Sequence, residues 1–324
     1  MIRPDLRRWS LPAIAVVSSI GLAAAALVLR RFTAAQLVSS LHRLAPAQLA
    51  QAALFTAGSY LALTGYDYFG TRWAGGRIAY RRVALASFVS MAIGHTAGMA
   101  PFSSAAIRYR FYSRWGLDGH QVAMVVLFSG LTVAAGQTML AAVLFLGFPE
   151  LVRTILPIGG RATALLGGTA GAAVMAYVGL NLVRHRPFRL ASWTVALPGW
   201  RLAAVQIALG VTDCLLMASA LQALLASGTP IGFVATAAAW LLGSLATLMT
   251  HVPGGIGVLE ATIVALAPNG EVIGPLIAFR IISYLGPFAF GVIGLAVSEL
   301  RERLAHRADQ RARLAHRADQ RAQI

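Results

Sequence analysis

Apolar residues run along this chain in long blocks, and polar residues gather in the short stretches between them. Eight blocks are legible, at residues 11–29, 49–66, 83–106, 122–148, 162–183, 202–225, 233–266 and 276–297. With about 20 apolar residues needed to cross a bilayer, six of them read as plain spanning helices. The third and seventh are interrupted. In the seventh, residues 250–266 read T-H-V-P-G-G-I-G-V-L-E-A-T-I-V-A-L. Pro253 lacks an N–H and disfavours helix at Val252, and Gly254, Gly255 and Gly257 loosen the backbone further. In the third, the break is Gly94-His-Thr-Ala-Gly-Met-Ala-Pro101. Broken backbone persists at membrane depth only where protein or a water-filled cavity satisfies its polar groups. Each break is therefore either a loop between two spans or the tip of a re-entrant hairpin.

Composition fixes the class. The chain has 324 residues, 58% hydrophobic and 12% charged, with a mean hydropathy of +0.70. It reads as an all-α polytopic membrane protein. No hydrophilic block is long enough for a soluble catalytic domain. The single Cys214 lies in an apolar segment, which excludes a disulfide framework and a cysteine metal site. All 27 basic residues are arginine and the net charge is +16. In this setting that charge points to topology control and anionic headgroups, not to nucleic acid. The first apolar block follows Arg3, Arg7 and Arg8 and reads as an uncleaved first span.

Arginine placement decides between the two readings of the breaks. With a cytoplasmic N-terminus and two re-entrant hairpins, the cytoplasmic side holds 21 arginines. They lie before the first block, at residues 72–82, 108–114 and 184–201, and in the tail at 301–321. The outside then holds five, Arg30, Arg31, Arg43, Arg153 and Arg161, and Arg280 stays inside the last block. Full crossings at the third and seventh blocks would invert the middle clusters, against the positive-inside rule. The expected fold is thus an inverted-topology repeat within a membrane domain of residues 1–298. Repeat one covers about 11–148 and repeat two about 162–297, each as span, span, hairpin, span. Residues 299–324 form an expected cytoplasmic arginine-rich helical tail. Its decapeptide R-L-A-H-R-A-D-Q-R-A occurs twice in tandem, at 303–312 and 313–322.

Ionisable residues at membrane depth are costly and therefore candidates for function. Asp67 reads either as such a residue or as an interfacial one beside the belt residues Tyr66 and Tyr68. Asp213 sits well inside the sixth block. Glu260 lies on the returning arm of the second hairpin, seven residues after Pro253, and Arg108 follows Pro101 by the same spacing. Glu260 reads equally as a carboxylate pairing within its hairpin, and Arg108 as a positive-inside anchor. Arg280, four residues before Tyr284, reads equally as a ligand contact or as an ion-pair partner of Asp213 or Glu260. His95 and His251 flank the breaks without metal-ligand spacing, so no metal and no cofactor is expected. Glycine-rich backbone near a half-helix N-terminus remains suited to a lipid phosphate.

These residues carry a resemblance. Tyr66-Asp67, Gly98-Met-Ala-Pro-Phe running to Ile107-Arg108-Tyr-Arg-Phe-Tyr, Val252-Pro-Gly-Gly-Ile-Gly-Val-Leu-Glu260, and Phe279-Arg280-Ile-Ile-Ser-Tyr284-Leu-Gly-Pro287 occur in order over roughly residues 10–298. In this the chain resembles the lysylphosphatidylglycerol synthase transmembrane-region family, which includes the flippase half of the multiple peptide resistance factor proteins. The resemblance implies translocation of a phospholipid, such as aminoacylated phosphatidylglycerol, across the inner membrane. It implies a headgroup site of Asp67, Arg108, Asp213, Gly254, Gly255, Gly257, Glu260, Arg280 and Tyr284. The carboxylates would attract a cationic group, and the arginines and glycine N–H groups would hold the phosphate. The soluble synthase domain of two-part members has no counterpart here, so transferase chemistry is not expected. The expected partner is membrane phospholipid. The alternative is a non-transporting lipid-binding subunit that scaffolds a separate lipid-modifying enzyme.

Overall fold

A computed structural model describes residues 44–97, 100–183, 188–190, 193–195, 197–226, 229, 231–250, 258–267 and 272–322. The first expected span and the break at 251–257, with Pro253 and the three glycines, lie outside the described residues.

The described chain is helical apart from one short hairpin. Helix α1 spans Pro46–Trp73, α2 Tyr80–Ala97, α3 Ala100–Arg114, α4 Gly119–Gly147, α5 Pro149–Ile155 and α6 Gly160–Val183. Two three-residue strands follow, β1 (Phe188–Leu190) and β2 (Trp193–Val195), paired antiparallel. Then come α7 (Trp200–Leu225), α8 (Phe233–Thr250), α9 (Val258–Leu266) and α10 (Ile273–Arg280). A π-helical turn, Ile281–Leu285, joins α10 to α11 (Gly286–Ala322). The β-hairpin is an addition to the all-α expectation. It lies in the arginine-bearing link between the fifth and sixth apolar blocks, where Phe188, Leu190, Trp193 and Val195 favour strand.

Four described segments are long and apolar enough to cross a membrane: Gly119–Gly147, Gly160–Val183, Trp200–Leu225 and Ile273–Leu304. Helix α1 has the length, 28 residues, but it is more polar. It buries Thr56, Ser59, Thr64, Asp67 and Thr71, a composition that suits a helix enclosed by others. The shorter helices flank the breaks. At about 1.5 Å per residue, α3 with 15 residues and α9 with 9 fall short of a hydrocarbon core about 30 Å thick. Each packs on the helix across its break, α3 on α2 and α9 on α8. Pro101 falls in the first turn of α3, where a missing N–H costs nothing.

Local chemistry brings the ends of these pairs together. Asp118 caps α4 by accepting from Gln121 N at 2.8 Å, while Gln121 Oε1 accepts from Asp118 N at 3.0 Å, a reciprocal box. The Gln121 amide also donates to Ala74 O at 3.1 Å, and the Arg82 guanidinium stacks over Trp115 at 5.9 Å. The end of α1, the beginning of α2, the end of α3 and the beginning of α4 therefore share one face. Arg110 and Arg114 at the end of α3 pair with Glu299 of α11, which brings the tail to that face as well. The second pair turns the other way. Gln48 at the beginning of α1 donates to Ala223 O at the end of α7, and Gln222 donates to Ile231 O ahead of α8. One apolar cluster joins Leu44, Val152, Leu225, Ile231, Ala267 and Val272. The ends of α8 and α9 thus meet on the opposite face.

The antiparallel pair α1 and α7 forms the centre. Leu216 and Leu209 of α7 seat on Gly58 and Gly65 of α1, where an added Cβ would come within 3.3 and 3.1 Å of them. Helix α4 crosses α7 in direct backbone contact. A Cβ on Gly136 would lie 2.3 Å from the Gly210 carbonyl carbon, so both positions require glycine for the close approach.

Candidate functional site

Two acid–base pairs and one lone carboxylate occupy the polar interior. Asp67, expected near the membrane interface, is fully buried on α1. Arg108 of α3, 2% exposed, faces it. Its Nε donates to Oδ1 at 3.1 Å and Oδ2 at 2.9 Å, and its Nη2 to Oδ1 at 2.8 Å. Tyr112, one helical turn on, donates to Oδ2 at 2.6 Å, and Ser129 of α4 to Oδ1 at 3.0 Å. Every donor aims at one carboxylate, and that ties α3 and α4 to α1. Asp67 is thus internally neutralised, and Arg108 is a buried partner rather than a surface anchor.

The second pair joins α9 to α10. Arg280 Nε donates to Glu260 Oε1 at 2.8 Å. Of the two partners open to Arg280 from the sequence, the structure selects Glu260. The Arg280 guanidinium also stacks over the Tyr284 ring at 5.0 Å. Spacing along the chain made Arg108 and Glu260 equivalent, but they do not meet each other. Each pairs with a residue of a helix near its own break, Arg108 with Asp67 of α1 and Glu260 with Arg280 of α10.

Asp213 differs from both. It sits on α7 between the two glycine–leucine contacts, so it faces Ser59 and Tyr66 of α1. The Ser59 hydroxyl donates to Oδ1, and the Tyr66 hydroxyl approaches Oδ2 at 3.4 Å. Both donors are neutral, and no cation pairs with Asp213 among the described residues. Tyr60, 7% exposed, buries its hydroxyl without a hydrogen-bond partner and lies within electrostatic reach of Asp213 and Tyr284. Tyr284 in turn lies within reach of Arg280, Glu260 and Asp213.

The π-helical turn holds this cluster together. Its Ser283 hydroxyl shares a 2.8 Å hydrogen bond with Thr56 of α1, and Thr96 near the tip of α2 reaches Tyr284 O at 3.5 Å. π-Turns inserted in α-helices recur at functional sites. Here the turn packs against α1, α2, α10 and α11, and its Tyr284 lies within electrostatic reach of Asp213 of α7 and Glu260 of α9. Gly254, Gly255, Gly257, Pro253 and His251 lie outside the described residues. His95 at the end of α2 lies within electrostatic reach of Arg108, and no group of three metal-ligating side chains occurs among the described residues.

Several participants carry no signal in the sequence. Ser59, Tyr60, Tyr112, Ser129 and Ser283 are ordinary polar residues in apolar helices, and only the packing reveals them. Glu299 and Glu302, which neutralise Arg110 and Arg114 at the arginine-rich face, look like part of a solvated tail. Their spacing of three residues on the same helix face was the available clue.

No family model matches the chain. It is 28% identical over 257 residues to the uncharacterized protein slr0712 of Synechocystis sp., covering 78% of this chain and 79% of that protein. It is also 28% identical over 248 residues to the inner membrane protein YbhN of Escherichia coli, covering 72% and 75%. With its apolar helices, this likeness supports a protein of the inner membrane.

Proposed function

We propose that the protein is an inner-membrane lipid translocase whose headgroup site lies where α1, α7, α9, α10 and the π-turn converge. Asp213 carries this reading. A carboxylate inside a membrane domain with only neutral donors is expensive, and nothing in the packing of α7 requires it. Asp67 and Glu260 are each neutralised by an arginine, so the attraction for a cationic headgroup group rests on Asp213 alone. Arg280, paired with Glu260 and stacked over Tyr284, is the cation that would meet the phosphate of the same headgroup. The apolar tails remain in lipid. Ammonium-bearing phospholipids, including aminoacylated phosphatidylglycerol, fit this distribution of charge.

The same reading makes α2–α3 and α8–α9 re-entrant hairpins of an inverted repeat. Both ends of each pair lie on one face, the two pairs open to opposite faces, and each pair includes a helix too short to cross. The face carrying Arg72, Arg77, Arg81, Arg82, Arg110 and Arg114 is cytoplasmic by the positive-inside rule, and the face with Arg153 and Arg161 is external. The family named by the resemblance is consistent with this arrangement.

The test is exchange of a labelled ammonium-bearing phospholipid between leaflets of proteoliposomes. Asp213→Asn should slow exchange about 10- to 100-fold, the equivalent of one charge-assisted hydrogen bond, and Asp213→Glu should restore part of it. Exchange no faster than in protein-free liposomes overturns the proposal. One observation favours a second reading, a lipid-binding scaffold for a separate enzyme. Helix α11 continues to Ala322, well past the last apolar residues. Under that reading, exchange is indifferent to Asp213 and a soluble enzyme co-purifies through residues 305–322.

A further inference from the structure

Resting on the translocase reading, we infer that Asp213 is also a proton-binding site, and that a proton and a cationic headgroup occupy it in turn. The argument starts from the charge left over in the interior. Asp67 with Arg108, and Glu260 with Arg280, are two neutral pairs. Asp213 then leaves the described interior with one uncompensated negative charge whenever the site is empty.

Among the described residues, the surroundings of Asp213 offer no cation to cancel that charge. From α1 it meets Ser59 and Tyr66, with Tyr60 close by. Tyr284 of the π-turn lies within electrostatic reach of it, and beyond lie Arg280 and Glu260, already engaged with each other. On its own helix its neighbour is Cys214. Helix α8 has no ionisable residue, and α4 has only His120, at its far end. Helix α6 carries Arg161 in its first turn and Tyr177, whose hydroxyl bonds Gln206, about two turns along α7 from Asp213. Hydroxyls that donate to the carboxylate do not provide the five or six lone pairs a sodium ion takes. Protonation needs no further ligand: carboxylate and proton give a neutral carboxylic acid, and the Ser59 hydroxyl that bonds Oδ1 can turn to accept from its new O–H.

Occupancy by turns has a consequence for transport. A headgroup ammonium arriving at Asp213 displaces the proton, and a departing headgroup is replaced by one. The carrier then exchanges a cationic lipid for a proton, and a pH difference across the membrane biases the direction. Phosphatidylglycerol, which is anionic and carries no ammonium, displaces nothing.

The decisive measurement is infrared difference spectroscopy of the purified full-length protein in phosphatidylglycerol vesicles. Lowering the pH should raise a carboxylic-acid C=O band that is missing in Asp213→Asn, present at a shifted frequency in Asp213→Glu, and unchanged when sodium replaces potassium. Adding phosphatidylethanolamine or lysyl-phosphatidylglycerol should diminish the band, and adding more phosphatidylglycerol should not. A band that persists in Asp213→Asn, a band that follows sodium, or no titrating band overturns the inference, even if lipid exchange is measured. A band that behaves as expected in a protein that exchanges no lipid leaves the proton site standing and overturns the translocase reading instead. Asp213→Asn must remain folded for this comparison. An amide oxygen can still accept from Ser59 and Tyr66, and retention of the native elution volume on size exclusion checks it.

Discussion

Replacing Asp67 by alanine isolates the energetics of the buried pair. The carboxylate is fully buried and accepts from Arg108, Tyr112 and Ser129. Its removal leaves a guanidinium, 2% exposed, without a counter-charge. Breaking a buried ion pair from one side costs about 3–5 kcal/mol. The two orphaned hydroxyls rotate and find new acceptors more readily than the charge does, so they add little. At about 4 kcal/mol the folded fraction relative to unfolded falls nearly a thousandfold. The converse change is milder. Arg108→Met leaves Asp67 with two hydroxyl donors, and the carboxyl can take a proton and become neutral. An arginine has no such escape, because it stays charged at any accessible pH. Asp67→Ala should therefore cost at least about 2 kcal/mol more than Arg108→Met, and the double variant less than Asp67→Ala alone. Unfolding in mixed lipid–detergent micelles, followed by tryptophan fluorescence, measures all three. Equal costs for the two single variants, or additive costs in the double variant, refute the asymmetry and with it the view of Asp67 as a structural anion.

Three further outcomes are expected. Gly136→Ala should destabilise by about 1–3 kcal/mol or more through overpacking, because its Cβ would lie 2.3 Å from the Gly210 backbone. Gly130→Ala on the same helix has open space at the Cβ and should be neutral in the same unfolding assay. The double change Glu299→Ala with Glu302→Ala removes the tail carboxylates that pair with Arg110 and Arg114, so limited trypsin cleavage after Arg114 should accelerate, and an unchanged rate would show that this clasp is not formed in solution. On a Cys214→Ala background, cysteines at the exposed positions Ala79, Ser113 and Thr154 should report topology: Ala79 and Ser113 label from the cytoplasmic side and Thr154 from outside. Opposite sidedness of Ala79 and Ser113 would end the re-entrant reading of α2–α3.

The membrane class and the helical segments were legible because hydrophobic length is a local property of the chain. The helix break before Pro101 was legible for the same reason, since proline and glycine act on their own backbone. Pairing was not local. Asp67 lies next to Tyr66 and Tyr68, which read as an interfacial belt, yet Asp67 and Tyr66 are both buried, the one facing Arg108 and the other Asp213. The equal spacing of Arg108 and Glu260 from their prolines identified two residues of importance but not their partners, because it gives no information on which side of the hairpin a neighbouring helix packs. The π-turn was invisible: Ile281–Leu285 has an ordinary apolar composition, and only the surrounding contacts show the extra residue in the turn. The arginine tally assigned residues 108–114 to one anchoring group. Packing divides it into a buried pair at Arg108 and a tail clasp at Arg110 and Arg114.

The charges can be sorted by what fixes them. In the first pair of short helices the arginine stands on α3 and the acid on the preceding α1. In the second the acid stands on α9 and the arginine on the following α10. Each unit is thereby attached to one long helix by a neutral pair, Arg108–Asp67 or Glu260–Arg280, and α1 and α7 pack between them. Motion of one unit against the other would carry its pair intact, because neither pair bridges the two units. Asp213 lies on the α1–α7 contact itself, bonded across it to Ser59 and Tyr66 by hydroxyls alone. It is the ionisable group whose environment changes if that contact loosens, while the two pairs keep theirs. A residue so placed has little to contribute to stability, and under the proposed translocase function its part would be in coupling. Asp213→Asn should leave the unfolding free energy within about 1 kcal/mol of the parent while slowing exchange about 10- to 100-fold. If Asp213→Asn instead unfolds the protein as severely as Asp67→Ala, Asp213 is a structural residue and the coupling argument fails.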